Sequence, residues 1–423
     1  MTLERIVVVG SSLAGVRACA GIRRGGFDGT LTLIGAESHQ PYDRPPLSKK
    51  VLAGEWEPDR IPLFRGDEPN ELRIDLRLGS PAVSLSLTDG DRAVTLADGS
   101  IVSFDGLVIA TGATLRRLPG QPDHPSVMEL RTLDDSLALR ARLTAGGQRL
   151  LVIGAGFIGL EVAATARQLD NDVTVLEGAP APLIRGLGVE MGLAVTTLHA
   201  DNDVPIHCQV QVVAIRPRSG AADAAIDVDV RWADGRNETM VADVVVVGVG
   251  VAPSTGWVEG SGIQLRDGVV CDGTLNVLDT GGTPIPGVYA AGDIVRWPNG
   301  QFDDEEMRIE HWTNASEQGM AAAANLLAAD RGEPPTPFET VPFFWSDLFG
   351  KRIQFIGRAA GDDEIRLVLG SVEERKFLAL YGKHGVLRGA LALAMPKPLN
   401  QCRKLLVDKV TFDEAIAAAA AWT

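Results

Sequence analysis

Cysteine is scarce: the 423 residues contain 4, Cys19, Cys208, Cys271 and Cys402, and no CxxC spacing. That excludes a zinc knuckle and a sequence-local redox pair. It fits a reducing compartment, so the cytoplasm is the expected location and no metal centre is expected. Aromatic residues are 5% of the chain, too few for the stacking platforms that hold single-stranded nucleic acid. Positive charge is in deficit: 40 Lys and Arg stand against 55 Asp and Glu, a net −15, which disfavours binding along a phosphate backbone. No apolar run reaches the ~20 residues of a membrane-spanning helix. The early run Ile6-Val7-Val8-Val9 stops at Gly10 and reads as a buried strand, so no membrane insertion is expected.

What the chain has in quantity is glycine, 47 residues, and apolar residues, 45% of the total. This composition suits an α/β protein of two or three domains, at ~150 residues each. Two segments follow one plan of strand, glycine turn, helix and strand. The first runs from Arg5 through Gly10-Ser11-Ser12-Leu13-Ala14-Gly15 to a helix over 16–24 and a strand over 30–34, with Glu37 just beyond. The second runs from Arg149 through Gly154-Ala155-Gly156-Phe157-Ile158-Gly159 to a helix over 160–169 and a strand over 172–176, with Glu177 just beyond. The glycines let the backbone approach a pyrophosphate, the helix N-terminus offers free N–H groups, and the terminal carboxylate can accept from ribose hydroxyls. Two dinucleotide sites are therefore expected.

The turn Ala110-Thr111-Gly112-Ala113 precedes the second plan, and Gly248-Val249-Gly250-Val251 follows it, so the second unit reads as an insertion in the first. A later strand ends in Ala290-Ala291-Gly292-Asp293, and a proline-rich linker spans 333–337. Beyond it, 343–355, 364–381 and 387–394 alternate like antiparallel strands, and 412–422 reads as a closing Ala-rich helix. The acidic run 303–306 reads as a solvated loop.

These elements, together with Pro41-Tyr42-Asp43-Arg44-Pro45-Pro46-Leu47-Ser48-Lys49, Glu310-His311-Trp312-Thr313-Asn314 and Phe344-Trp345-Ser346-Asp347, resemble the FAD-dependent NADH:ferredoxin reductases of bacterial monooxygenase and dioxygenase systems. The resemblance implies an α/β fold of two Rossmann-like nucleotide-binding domains, one inserted in the other, plus an α+β C-terminal domain. The implied boundaries are 1–112 with 252–328 for FAD, 113–251 for NAD, and 329–423 for the C-terminal interface domain.

Carried onto this chain, the resemblance places Gly10, Leu13, Ala14 and Gly15 at the FAD pyrophosphate and Glu37 at its ribose. Arg44 goes near the phosphate or ribose, and Val83 meets the adenine through its backbone. Ala110, Thr111, Gly112 and Arg116 line the flavin and phosphate channel, and Asp293 binds the ribityl hydroxyls. Lys49 lies under the reactive edge of the flavin, Trp312 beside the ring, and Glu161 toward the nicotinamide; these three are the candidate catalytic residues. NADH falls to Gly154, Gly156, Ile158, Gly159, Glu177 and Gly250, with Glu177 favouring NADH over NADPH.

The implied acceptor is an acidic [2Fe-2S] ferredoxin or similar small carrier, met by local basic clusters: Lys49 with Lys50, Lys351 with Arg352, and Lys397, Arg403, Lys404 and Lys409. Rubredoxin, quinone or monodehydroascorbate reduction, or a redox sensor resembling apoptosis-inducing factor, stay open as alternatives. Thiol chemistry is disfavoured, because no cysteine lies in PPLSKKVLAG. His311 reads as structural, since hydride transfer from nicotinamide to flavin needs no protein proton donor.

Overall fold

The structure, a computed structural model, describes residues 3–88, 90–218 and 225–422. The chain divides into two compact units, each assembled from three stretches. Unit 1 comprises Met1–Asp43, Ile61–Thr114 and Ala252–Pro342, and unit 2 comprises Arg44–Arg60, Leu115–Val251 and Phe343–Thr423.

Unit 1 is built on a six-stranded sheet in the order 276–278, 284–290, 106–109, 5–9, 30–34, 74–77. Its strands run parallel except the edge strand Asn276–Leu278. Arg5–Val9 and Gly106–Ile109 are central, and Ile6, Val8, Leu107, Val108 and Ile109 are fully buried, as continuous apolar runs in a two-sided parallel sheet should be. The helices Leu13–Arg24 and Trp312–Asp330 pack closely together, because Gly319 brings its Cα against the Ala14 carbonyl, where a Cβ would lie 2.4 Å from the oxygen.

Unit 2 repeats the device. Its parallel sheet has the order 206–207, 172–176, 149–153, 244–247, 127–128, with the helix Phe157–Gln168 following the central strand Arg149–Ile153. The C-terminal stretch adds a five-stranded antiparallel sheet and the helices Pro396–Val407 and Phe412–Ala419.

Several expectations are corrected. Both dinucleotide helices begin three residues earlier than expected, at Leu13 and Phe157, because Ser12 and Gly156 in the glycine turns are themselves the extended N-cap residues. The closing helix ends at Ala419, and a helix over Pro396–Val407 precedes it. The acidic run is not simply a loop: Glu305–Met307 is a strand paired with Val295–Asn299, and Glu306 takes salt bridges from Arg266 and Arg296. The stretch Arg44–Arg60 groups with unit 2.

Candidate functional site

In unit 1 the first glycine turn closes on the chain itself. Gly10 has φ +117°, and a Cβ there would lie 2.1 Å from the Ala110 carbonyl oxygen; one on Gly15 would lie 1.8 Å from the Gly10 oxygen. Only hydrogen at both places leaves the backbone free to line a phosphate closely. Leu13 and Ala14 are buried in the first helical turn. Glu37 accepts from the Tyr42 hydroxyl, a partner the sequence reading missed although it stands five residues away. Val83 is half exposed and sits in the register shift between Ala82 and Ser84, so it is the bulged residue of its strand pair. A bulge leaves backbone groups outside the ladder, as an adenine contact through the main chain requires.

The far side of unit 1 is equally ordered. Thr111 Oγ1 donates to the Ser254 carbonyl at 3.0 Å, and Gly112 occupies the left-handed region with φ +65°. The Gly292 amide donates to Gln318 Oε1 at 2.9 Å, and Arg308 Nη1 donates to the Asp293 carbonyl at 3.0 Å, which fixes the Gly292-Asp293 turn from two directions. Trp312 opens its helix and its indole N–H donates to Asp43 Oδ1 at 2.7 Å. Tyr42 and Asp43 thus tie down Glu37 and Trp312, two residues 275 positions apart.

His311, next to Trp312, retains some exposed surface, yet its Nδ1 atom is shielded, and burial pushes the imidazole down to about 4. It is neutral at pH 7, so no imidazolium proton is held there. His199 in unit 2 is fully buried with Nε2 3.1 Å from the Leu160 carbonyl, and burial lowers it too. For both groups the unfolded chain binds a proton near pH 6.5 that the fold refuses, so stability falls as pH drops below ~6.5 and the loss continues toward the folded values. Asp105 beside Arg5 and Asp243 beside Arg149 are held below the ordinary carboxylate range, and their contribution is lost only at lower pH. Urea unfolding is therefore expected to show a loss of ~2 kcal/mol from His311 alone between pH 7 and 5. A flat profile over that interval would contradict this account.

In unit 2 the second turn follows the same geometry: Gly154 has φ +106°, and a Cβ would lie 2.3 Å from the Gly248 oxygen, while one on Gly159 would lie 2.2 Å from the Gly154 oxygen. Gly156, the N-cap, has open space at its Cβ position, and Ile158 is 41% exposed in the first turn. Glu177 bridges the turn, accepting from the Ala155 amide at 2.6 Å and the Ala179 amide at 2.7 Å. Gly250 has φ +101° and its carbonyl accepts from the Arg116 amide, while Arg116 Nε donates to the Val251 carbonyl at 2.9 Å. Arg116 is exposed, and both of these bonds lie within unit 2.

The second half of the PYDRPPLSK run lies in this unit. Arg44 Nη1 donates to the Arg131 carbonyl at 2.5 Å. Lys49 Nζ meets Glu161 Oε2 at 2.6 Å, and both side chains are largely buried. Ser48 and Ser346 each donate to the same carboxylate at 2.5 Å. The sequence reading found Lys49 and Glu161 but neither their pairing nor the serines.

All four cysteines are free; three are buried, Cys208 is partly so, and burial pushes every thiol up, Cys402 to about 12. A thiolate nucleophile is thus unavailable at neutral pH. The turns fit dinucleotides: each cradle excludes a Cβ at its first and last glycine, Gly10 and Gly15 in one and Gly154 and Gly159 in the other, each opens a helix, and each has a carboxylate beyond its second strand.

Comparison with known proteins agrees with this geometry. A family model described as pyridine nucleotide-disulphide oxidoreductase matches residues 4–319, and one described as reductase C-terminal matches 343–422. The chain is 33% identical over 415 residues to rhodocoxin reductase of Rhodococcus erythropolis, covering 98% of this chain and 92% of that protein. It is 33% identical over 411 residues to the ferredoxin–NAD(+) reductase component of the biphenyl dioxygenase system of Paraburkholderia xenovorans, covering 97% and 94%. The reductase in the crystal structure of a covalent putidaredoxin reductase–putidaredoxin complex matches with TM-score 0.88 and 30% identity over the whole of both chains. Among the described residues no helix is long and apolar enough to cross a membrane.

Proposed function

The chain belongs to the pyridine nucleotide-disulphide oxidoreductase family, and on that premise we propose that it is an FAD-dependent NADH:ferredoxin reductase serving a monooxygenase or ring dioxygenase. The observation that carries this reading is the pair of matched glycine cradles, each with its own glutamate, in a chain whose thiols are all free of disulfides, three of them buried. FAD, when bound, supplies the conversion of a hydride from NADH into electrons passed singly to an iron–sulfur acceptor.

The protein's part is positioning. Gly10, Leu13, Ala14, Gly15, Glu37, Val83, Ala110, Thr111, Gly112, Asp293 and Trp312 are assigned to FAD, with Arg44 at its phosphate or ribose. Arg116 is assigned with them to the flavin and phosphate channel, and its bonds to the Gly250 and Val251 carbonyls orient it. Gly154, Gly156, Ile158, Gly159, Glu177 and Gly250 are assigned to NADH. Lys49 is assigned to the reactive edge of the flavin and Glu161 to the nicotinamide side, and the buried bond between them supports giving both residues to one reaction.

The test begins with purified protein. It should carry a flavin spectrum, bleach on NADH titration and reduce a ferredoxin rapidly; a flavin that NADH leaves oxidised would overturn the reading. A long-lived reduced protein that passes nothing to ferredoxin, rubredoxin or quinone would favour the sensor alternative.

Coenzyme choice rests on Glu177. Its carboxylate opposes a 2′-phosphate, so kcat/KM is expected to be at least about tenfold higher with NADH than NADPH. Glu177→Ala should narrow that ratio, and a parent enzyme that uses NADPH equally well would contradict the assignment.

The acceptor is proposed to be an acidic [2Fe-2S] protein in the cytoplasm. Lys397, Arg403 and Lys404 are exposed on the helix Pro396–Val407, with exposed Lys409 just beyond, and Lys351 is exposed on its strand. Arg352 is paired with Asp347, and Lys50 with Glu55, which lessens both as docking charges. Ferredoxin reduction is expected to slow as salt rises from 50 to 500 mM, arbitrary bounds spanning roughly 14 to 4 Å of screening length. A salt-independent rate would remove electrostatic docking.

A further inference from the structure

We infer that Ser346, assisted by Ser48, is a positioning residue of the redox site, whose hydroxyl sets how much of the Lys49 charge is felt by the flavin. The inference rests on the assignment of Lys49 to the flavin edge. It gives a role to Ser346 of the C-terminal sheet, which lies in the Phe344-Trp345-Ser346-Asp347 motif but to which the motif assigns no function.

The two oxygens of Glu161 are occupied unequally. Oε2 receives Lys49 Nζ at 2.6 Å and Ser48 Oγ at 2.5 Å, whereas Oε1 receives Ser346 Oγ at 2.5 Å. All the partners are held in place. Ser346 lies on the strand Phe343–Leu348 and is 1% exposed. Ser48 closes the short helical turn Pro45–Ser48, and its carbonyl accepts from Thr165 Oγ1 at 2.8 Å, one helical turn beyond Glu161. The Leu47 carbonyl accepts from Ser136 Oγ at 2.7 Å, and Lys49 Nζ also donates to the Pro45 carbonyl at 3.2 Å.

Both serine O–H dipoles point their positive ends at the carboxylate. They offset part of its negative charge, and they do so in a water-poor interior where dipoles act strongly. Lys49 therefore presents more net positive charge than a lone lysine–glutamate pair would. Hydride uptake places negative charge on the flavin, so a more positive surrounding favours the reduced form. Removing the Ser346 hydroxyl should shift the midpoint potential to more negative values, and removing the Glu161 charge should shift it the other way.

The experiment is a dye-coupled reductive titration of the FAD-loaded protein, with thermal unfolding in parallel. Ser346→Ala is expected to change the flavin reduction equilibrium about tenfold against reduction, ~30 mV for a two-electron couple. Ser48→Ala should act in the same direction, and Ser346→Thr, which keeps the hydroxyl, should restore the parent value. In a Glu161→Gln background, Ser346→Ala should add no further shift, since its effect passes through the carboxylate. If Ser346→Ala does not fold, Ser346→Gly, which also removes the hydroxyl, carries the same test.

A Ser346→Ala or Ser48→Ala protein that loses thermal stability at an unchanged potential, while Glu161→Gln moves it, overturns the inference and leaves the Lys49 assignment standing. So does a Ser346→Ala shift that persists undiminished in the Glu161→Gln background. If neither Lys49→Met nor Glu161→Gln moves the potential, the assignment of Lys49 to the flavin fails, and the inference fails with it.

Discussion

Replacing Lys49 with methionine is expected to lower the unfolding free energy by about 3–5 kcal/mol and to slow flavin reduction by NADH. The stability loss comes from Glu161. Its side chain is 6% exposed, and without the ammonium group it remains buried with two serine donors and no opposite charge. Removing one partner of a buried pair costs more than removing both, so Lys49→Met with Glu161→Leu should recover part of the loss. The kinetic effect has a ceiling. A unit charge at about 4 Å and an effective dielectric of 20 contributes at most ~4 kcal/mol to developing negative charge. Stopped-flow reduction at saturating NADH measures the kinetic effect, and urea unfolding of the FAD-free proteins measures the stability effect without ligand linkage. A Lys49→Met protein as stable as the parent and reduced at the parent rate would refute both claims.

The second large effect separates the two glycine cradles. Gly10→Ala should give a protein without bound flavin, because the new methyl would lie 2.1 Å from a backbone oxygen that cannot swing aside, in a φ region that alanine rarely adopts. Gly154→Ala meets the Gly248 oxygen at 2.3 Å, also at positive φ. It should give a protein that still binds FAD and is bleached by dithionite, but whose reduction by NADH falls at least about 100-fold, the equivalent of ~2.7 kcal/mol. Each variant carries a strain cost of several kcal/mol, so circular dichroism must first show that the chain is folded. Loss of flavin from the Gly154→Ala protein, or retention in the Gly10→Ala protein, would reverse the division of labour between the turns.

Much of this was legible in the sequence because a dinucleotide cradle is a local object. The strands Arg5–Val9, Thr30–Ile34, Arg149–Ile153 and Asp172–Leu176 fall where the apolar runs place them. The helix starts were missed by three residues because the cap lies inside the glycine fingerprint. The helix Pro396–Val407 was readable, with proline at its start and Leu399, Cys402 and Leu406 buried along one face. The surroundings of Glu161 were not. Ser48 lies 113 residues before it and Ser346 185 after it, and no periodicity links residues that meet only through tertiary packing. The bulge at Val83 was also hidden, since bulges depend on the register of a partner strand.

The interleaving of the two units has a consequence for how the protein is made. The parallel sheet of unit 2 uses only strands between Val127 and Val247. The parallel sheet of unit 1 needs Pro284–Ala290, which pairs with Gly106–Ile109. A ribosome therefore delivers every strand of the second parallel sheet while the first still lacks two of its six. Domains generally fold as they are synthesised, so the later cradle in the sequence is the earlier one to have its sheet complete. During that interval the strand Gly106–Ile109, apolar throughout and destined for full burial, has one edge unpaired. A pause or truncation between residues 250 and 284 would expose it, making that window the point in synthesis most vulnerable to aggregation.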